Sequence, residues 1–178
     1  DSYTYFTSIA AYNYFNNGGE SLLVARVVSG SHTAATGSNV ANSLNATSAS
    51  FVLETLSEGI INNNTSPLTS NGSLTSGTDD NIRWEISNAN TGSGTFNLLI
   101  RRGNDTTANP IVLESFNNIN LDPTSTRYIS RVIGDQVLSY TTANNQIDIT
   151  SGTYQNVSRY IRIKSVSNAT PNYFDNAG

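Results

Sequence analysis

Ile82, Trp84 and Ile86 alternate with Arg83 and Glu85, and Phe96, Leu98 and Ile100 alternate again with Asn97, Leu99 and Arg101. A two-residue period puts successive side chains on opposite faces of a strand, so the first run carries one apolar face and one charged face. Residues 87–94 between the runs are turn-rich, and together the runs predict an antiparallel hairpin with a long loop. Arg102-Gly103-Asn104-Asp105 then reads as a tight turn, and Ile111 to Phe116 as a returning strand.

The remaining elements are weaker. Residues 3–17 read as a helix with Tyr5, Ile9 and Tyr12 on one face and Phe6, Ala10 and Tyr14 beside them. Aromatic residues cover so much of its circumference that it is expected to be largely buried. Gly18-Gly19 supplies its stop. The near-continuous apolar run Leu22 to Val28 predicts a strand covered on both faces, and a helix feeding such a strand is an α/β feature. Residues 29–49 and 59–80 are polar and read as long surface loops, with Ser50 to Leu56 as a strand between them. Leu121-Asp122-Pro123 opens a second helix, capped by Asp122 or Ser125, with Tyr128, Ile129, Val132 and Ile133 on its apolar face and Gly134 as its stop. Ile147 and Ile149 suggest a short strand. Tyr160 to Val166 suggests a longer one, with Ile161 and Ile163 inward and Arg162 and Lys164 outward. No internal repeat is visible.

Only 12% of the 178 residues are charged, and Asn, Ser, Thr and Gly fill the gap. These residues suit strands joined by polar turns. The formal net charge is −4 and the nine basic residues are scattered, which argues against nucleic-acid binding. The longest apolar run, Leu22 to Val28, contains Arg26 and is too short to span a bilayer. With no cysteine, disulfides and Cys-ligated zinc are excluded. There is no methionine even at position 1, and the chain stops at Asn176-Ala177-Gly178 without a polar tail. The expectation is an excised fragment, with a processed mature protein as the alternative.

No constellation of residues points to catalysis, a cofactor or a metal. The one histidine, His32, sits in a loop sequence with no carboxylate nearby, and the adjacent Ser31 has the wrong geometry for a triad. Asp79-Asp80 is the best carboxylate cluster, and it lies where turn chemistry alone calls for Asp. Asp105 has the same ambiguity, and an oxygen-ligated calcium site is the alternative for both. Thr91-Gly92-Ser93-Gly94 lacks the lysine and helix of a phosphate loop. Arg101-Arg102 has the chemistry to grip an anion, but Arg101 is better explained as pairing with an acid such as Glu85 across the hairpin. Sequons such as those at Asn45, Asn71, Asn104 and Asn156 are what chance places in so Asn-, Ser- and Thr-rich a chain.

Three segments taken in order carry a resemblance. They are Phe96-Asn97-Leu98-Leu99-Ile100-Arg101-Arg102-Gly103-Asn104-Asp105, Leu113 to Pro123 with its Leu121-Asp122-Pro123, and Arg127-Tyr128-Ile129-Ser130-Arg131-Val132-Ile133-Gly134-Asp135. That order resembles the tail sheath proteins of contractile-tailed bacteriophages (myoviruses). The aromatic helix, Asn-Gly-Gly and the hydrophobic run through Arg26-Val27 are similar too. The resemblance covers roughly residues 3–28 and 80–166 and rests on packing and turn residues. It implies a non-enzymatic subunit that polymerises into stacked rings around a tail tube and contracts to drive the tube through the host envelope. Its partners would be other sheath subunits and the tube, with no nucleic acid, membrane or cofactor. Its location would be the virion tail, after assembly in the host cytoplasm. This chain would then be the outward-facing, protease-resistant middle fragment, monomeric when isolated.

The expected fold is α+β (mixed α/β), a largely antiparallel sheet with two main helices and long polar loops. Its organisation is either one domain over 1–178 or two intertwined subdomains, with 1–50 plus 81–178 as the portion resembling the family and 51–80 as a loop-rich insertion. An extracellular adhesin or carbohydrate-binding β-rich domain is the alternative function, and a hydrolase using Asp79-Asp80 a further one. The two helices and the buried Leu22–Val28 strand argue against the adhesin.

Overall fold

The computed structural model describes residues 6–24, 33–38, 50–58, 68–75, 77–143 and 145–167. The chain divides into two compact units, Asp1–Ser31 and His32–Gly178. In the first, α1 spans Phe6–Asn16, and Gly18 at φ +88° ends it in the left-handed region as its sequence suggests. The expected burial does not hold: no residue of α1 is buried, and Phe6 is 89% exposed. Leu22, Leu23 and Val24 are exposed and lie outside any strand. Residues 25–28 of the predicted buried strand lie outside the described residues.

The second unit contains β1 (Ala34–Ser38), β2 (Phe51–Glu58), β3 (Ile82–Asn90), β4 (Thr95–Arg102), β5 (Val112–Ile119), α2 (Ile129–Ile133), β6 (Val137–Thr141), β7 (Gln146–Ser151) and β8 (Ile161–Val166). The strands form three antiparallel sheets, in the orders β1-β2-β8, β3-β4-β5 and β6-β7. The fold is therefore α+β and mostly sheet, with two helices among the described residues, as expected. Strand β1 falls inside what the sequence suggests is loop, and β6 was not legible at all. The predicted loop at 87–94 is shorter than expected, because β3 runs on to Asn90 and only 91–94 turn.

The two three-stranded sheets share one core. Phe51 and Leu53 of β2, Ile161 and Ile163 of β8, Ile82 and Trp84 of β3, Leu98 and Ile100 of β4, and Phe116 and Ile119 of β5 meet there. Phe51 stacks on Phe96 with ring centroids 5.7 Å apart and lies tilted against Trp84 at 6.1 Å. Alternate residues of β2, β3, β4 and β8 supply this core, as the two-residue period requires, whereas Phe116 and Ile119 of β5 stand three apart across a register shift with Asn118 at φ +53°. Each large side chain fully buried in it contributes about 1.5–3 kcal/mol. Strand β2 is central in its sheet, and its Phe51 and Leu53 belong to the core.

Helix α2 closes the core with Ile129 and Ile133, both fully buried. It is one turn long, shorter than the helix expected from residue 121. Asp122 caps a turn in its place: its Oδ1 accepts from Thr124 N at 2.8 Å, and its carbonyl from Ser125 N at 3.1 Å. Asn120 Oδ1 accepts from Asp122 N at 3.3 Å and Ser125 Oγ from Arg127 N at 3.0 Å, so side chains satisfy this backbone locally and compete with helix formation. Tyr128, with φ −56° and ψ 132°, is the residue at the helix start, and no side chain caps it.

Gly134 then turns the chain at φ +106°, donating to the Ser130 carbonyl and accepting from Ile163 N at 2.8 Å. A Cβ there would lie 2.3 Å from the Asn156 Cα, so this close approach requires glycine.

Candidate functional site: a buried ion cluster on the charged face of the hairpin

The pairing of β3 with β4 places Arg83 directly opposite Arg101. Two like charges at paired positions repel, and the face that carries them reads from sequence as exposed. Both are buried, with side chains 7% and 4% exposed, because the turn after β4 folds Asp105 back between them. The Asp105 side chain has no exposure at all. Its Oδ1 accepts from Arg101 Nη2 at 2.9 Å and Arg83 Nη1 at 3.2 Å, and its Oδ2 from Arg101 Nε at 2.7 Å and Ile111 N at 2.8 Å. Arg101 engages two further donors, with Nη1 to Glu85 Oε2 at 2.6 Å and Nη2 to the Thr106 carbonyl at 2.8 Å. Burial opposes the Arg101 charge most, but hydrogen bonds and charges from Asp105 and Glu85 outweigh it and raise its pKa.

Arg83 Nη1 also donates to the Gly72 carbonyl at 2.9 Å, and Thr107 Oγ1 to the same oxygen at 3.2 Å. The cluster thus fastens the turn around Asn71-Gly72 and the segment 103–111 onto the outer face of the β3–β4 hairpin. Both Asp105 oxygens are filled by cationic and amide donors, which leaves no coordination position for calcium. Chemically the arrangement is a lock.

Other sequence candidates are spread out. Arg101 and Arg102 project to opposite faces, and Arg102, half-exposed, lies with its Nε 3.8 Å from Asp79 Oδ1, so the doublet does not grip one anion. Asp79 and Asp80 are exposed, and Asp79 accepts from Asn104 Nδ2. Among the described residues no group of three or more His, Cys, Asp or Glu could hold a metal ion. Ser31, His32 and Asn45 lie outside the described residues. Asn156 is occupied structurally, its Oδ1 accepting from Gln136 N at 3.1 Å and its Nδ2 donating to the Gln136 carbonyl at 2.8 Å.

Two further polar ties were not anticipated. Glu114 Oε2 accepts from Ser158 Oγ at 2.6 Å and its Oε1 from Arg159 N at 2.9 Å, joining β5 to the approach to β8. Glu54 sits opposite Arg162 in the β2–β8 register, pairs with it, and also meets Lys164 Nζ at 3.1 Å. Burial pushes the Glu54 carboxyl up, but the hydrogen bonds and charges of Arg162 and Lys164 prevail and hold it below its ordinary value of 4.5. The signal available in sequence was the outward charge of Arg162 and Lys164; which acid answers them depends on a strand more than a hundred residues away.

Comparison with protein-family models, with curated proteins and with solved structures finds no match.

Proposed function

We propose that this chain is a non-enzymatic structural domain of a contractile-tail sheath subunit. In this role it stacks in rings around an inner tube and shifts with them as the array contracts and drives the tube through the host envelope. The observation that carries the reading is where the resembling segments fall. Residues 96–105, 113–123 and 127–135 supply β4, most of β5, α2 and the turns around them. They include Arg101 and Asp105 of the buried lock, the Asp122 turn and the Gly134 crossing point. The segments whose order resembles the sheath family supply part of the core and several of its turns, which suits a shared scaffold better than a shared reactive centre. Polar loops fastened onto a sheet sandwich also suit a surface that exchanges one packing for another through small contacts. Partners on this reading are other sheath subunits and the tail tube, with no nucleic acid or membrane. The site of action is the virion tail after assembly in the host cytoplasm.

Electron microscopy of the protein encoded by the complete reading frame containing this chain tests the proposal. Tubular polysheaths are the expected result; particles without tubular order would sink it.

One observation favours the adhesin or carbohydrate-binding reading as the second. Of the features that argued against it, α2 proves to be a single turn and Leu22–Val24 forms no strand, which leaves a unit made of sheets. Specific glycan-array binding by this chain, with no tubes from the full protein, is the outcome that reading requires.

A further inference from the structure

Two Asn-Gly pairs occur in the chain, Asn17-Gly18 and Asn71-Gly72. In such a pair the backbone nitrogen of the glycine can attack the asparagine side-chain amide, because glycine has no Cβ to hinder the approach. The structure gives the two pairs different surroundings. Asn71-Gly72 sits in a turn held on several sides. Thr69 N donates to the Ser73 carbonyl at 2.8 Å, Gly72 N to the Thr69 carbonyl at 2.9 Å, and Ser73 N to Asn71 Oδ1 at 3.3 Å. The Gly72 carbonyl accepts from the buried Arg83 and from Thr107. Opening this turn therefore breaks a charge-assisted bond of the ion cluster. Asn17-Gly18 is held by bonds within the end of α1. Gly18 N donates to the Phe15 carbonyl at 3.1 Å and Gly19 N to the Tyr14 carbonyl at 3.0 Å, the paired bonds of a glycine-ended helix. Asn17 Nδ2 donates to the Asn13 carbonyl at 2.7 Å. Asn17 and Gly18 are exposed, and α1 has eleven residues, none of them buried. A helix so short is marginal in water without packing, so these bonds open often.

We propose that Asn17 is a site of spontaneous deamidation that loosens the end of α1, and that the fold protects Asn71 from the same reaction. When the helix end opens, Gly18 N is freed from the Phe15 carbonyl, gives up its proton to solvent base and attacks Asn17 Cγ. The N–Cγ bond forms, the Cγ–Nδ2 bond breaks, and Nδ2 leaves as ammonia with a proton taken from solvent. Water then opens the five-membered imide and restores the Gly18 N–H. Opening at Cγ leaves an aspartate; opening at the main-chain carbonyl carbon leaves an isoaspartate, whose main chain is one methylene longer. The sum is asparagine plus water giving the acid plus ammonia, with no oxidant, reductant or cofactor. Either product lacks the Nδ2 donor to the Asn13 carbonyl. Either also sets a negative charge at the helix C-terminus, where the dipole disfavours it, and makes the net charge one unit more negative than −4. The reaction runs one way, so the converted fraction records the age of the chain. The inference needs only these two turns and stands independently of the sheath reading.

Peptide mapping by mass spectrometry of the full chain, held at mildly alkaline pH and sampled over time, tests it. In the folded chain, conversion at Asn17 is expected to outrun conversion at Asn71 by about tenfold or more, the factor that one charge-assisted hydrogen bond puts on an opening equilibrium. In urea sufficient to unfold the chain the two rates should converge, because the reacting pair is the same. Thr107→Val removes an exposed donor to the Gly72 carbonyl, and should speed conversion at Asn71 while leaving Asn17 unchanged. Asn17→Asp reproduces one product directly. Its α1 amides should exchange faster than those of the unaltered chain, with β3 and β4 as before. Equal rates at the two asparagines of the folded chain, a ratio that urea leaves unchanged, or an α1 that exchanges no faster in Asn17→Asp overturns the proposal.

Discussion

Asp105 is the residue on which the outer face of the β3–β4 hairpin depends. With its charge present, two buried guanidinium groups at paired positions are neutralised; with it removed, they face each other with only Glu85 in reach. Asp105→Asn keeps the shape and loses the charge, and it should destabilise the unit by about 3–5 kcal/mol, the usual consequence of leaving a buried charge unpaired. Urea unfolding followed by the fluorescence of Trp84, which lies buried in the core, measures this. Glu54 gives a pH dependence whose sign is fixed. Its folded-state pKa lies below the unfolded value, so its contribution is complete above the ordinary 4.5 and is lost as pH falls through the lower folded value. Glu54→Gln should therefore cost roughly 1–2 kcal/mol at neutral pH and flatten the loss of stability below pH 4.5, as urea titrations at several pH values would show. Charge identity was legible here from sequence. Arg83, Arg101 and Asp105 were all visible, and so was the Arg101–Glu85 pair. Their burial was not, because strand alternation says which residues share a face and not whether a loop will cover it.

Elements form here where local backbone chemistry and packing agree. The β3–β4 hairpin is set by alternation, and its pairing of Trp84 with Ile100 and Ile86 with Leu98 follows the apolar sets read from the sequence. Helix α2 shows the opposite case. Apolar residues at helical spacing occur from Tyr128 onward, but Asn120, Asp122 and Ser125 satisfy the preceding backbone in turns, and only Ile129–Ile133 is left to the helix. At its end Gly134 brings the chain against Asn156, so Gly134→Ala forces both a positive φ and a backbone clash. A loss of at least about 2–3 kcal/mol is expected, with the unfolding midpoint in urea as the measurement. Helix α1 was legible as a helix from the spacing of Tyr5, Ile9 and Tyr12 and from the Gly18-Gly19 stop. Its burial was inferred from aromatic content alone, and Phe6, Tyr12 and Phe15 are exposed. Eleven uncharged residues form a marginal helix in isolation, which makes α1 the element expected to exchange its amides fastest in hydrogen-exchange measurements.

At the scale of the whole molecule, the core is drawn from residues Phe51 to Ile163 and is closed by strands distant in sequence. Strand β2 pairs with β8 across more than a hundred residues, setting Leu53 beside Ile163 and Glu54 beside Arg162. Such non-local pairing makes folding slow, because loop closure precedes the contacts that reward it. Since the core residues all lie beyond residue 31, a chain beginning at His32 should keep the same urea midpoint and Trp84 environment as the full chain, within about 0.5 kcal/mol. A large drop in midpoint would show that Asp1–Ser31 contributes to the core unit's stability.

The sequence by itself determined the α+β class, the positions of β2, β3, β4, β5, β7 and β8 within a few residues, and which side chains along each strand point the same way. These follow from a two-residue period and turn chemistry, both local properties. Tertiary structure alone decided that 34–38 and 137–141 become strands, that Leu22–Val24 do not, and that Asp105 is enclosed by two arginines. It also decided that Leu138, Tyr140, Ile147 and Ile149 of the β6–β7 hairpin are exposed while Phe51, Leu53, Leu98, Ile100, Ile161 and Ile163 are buried. Each of these depends on which distant segment arrives to pair with or cover a face, and the energy of that arrival comes from contacts between residues that no local pattern links.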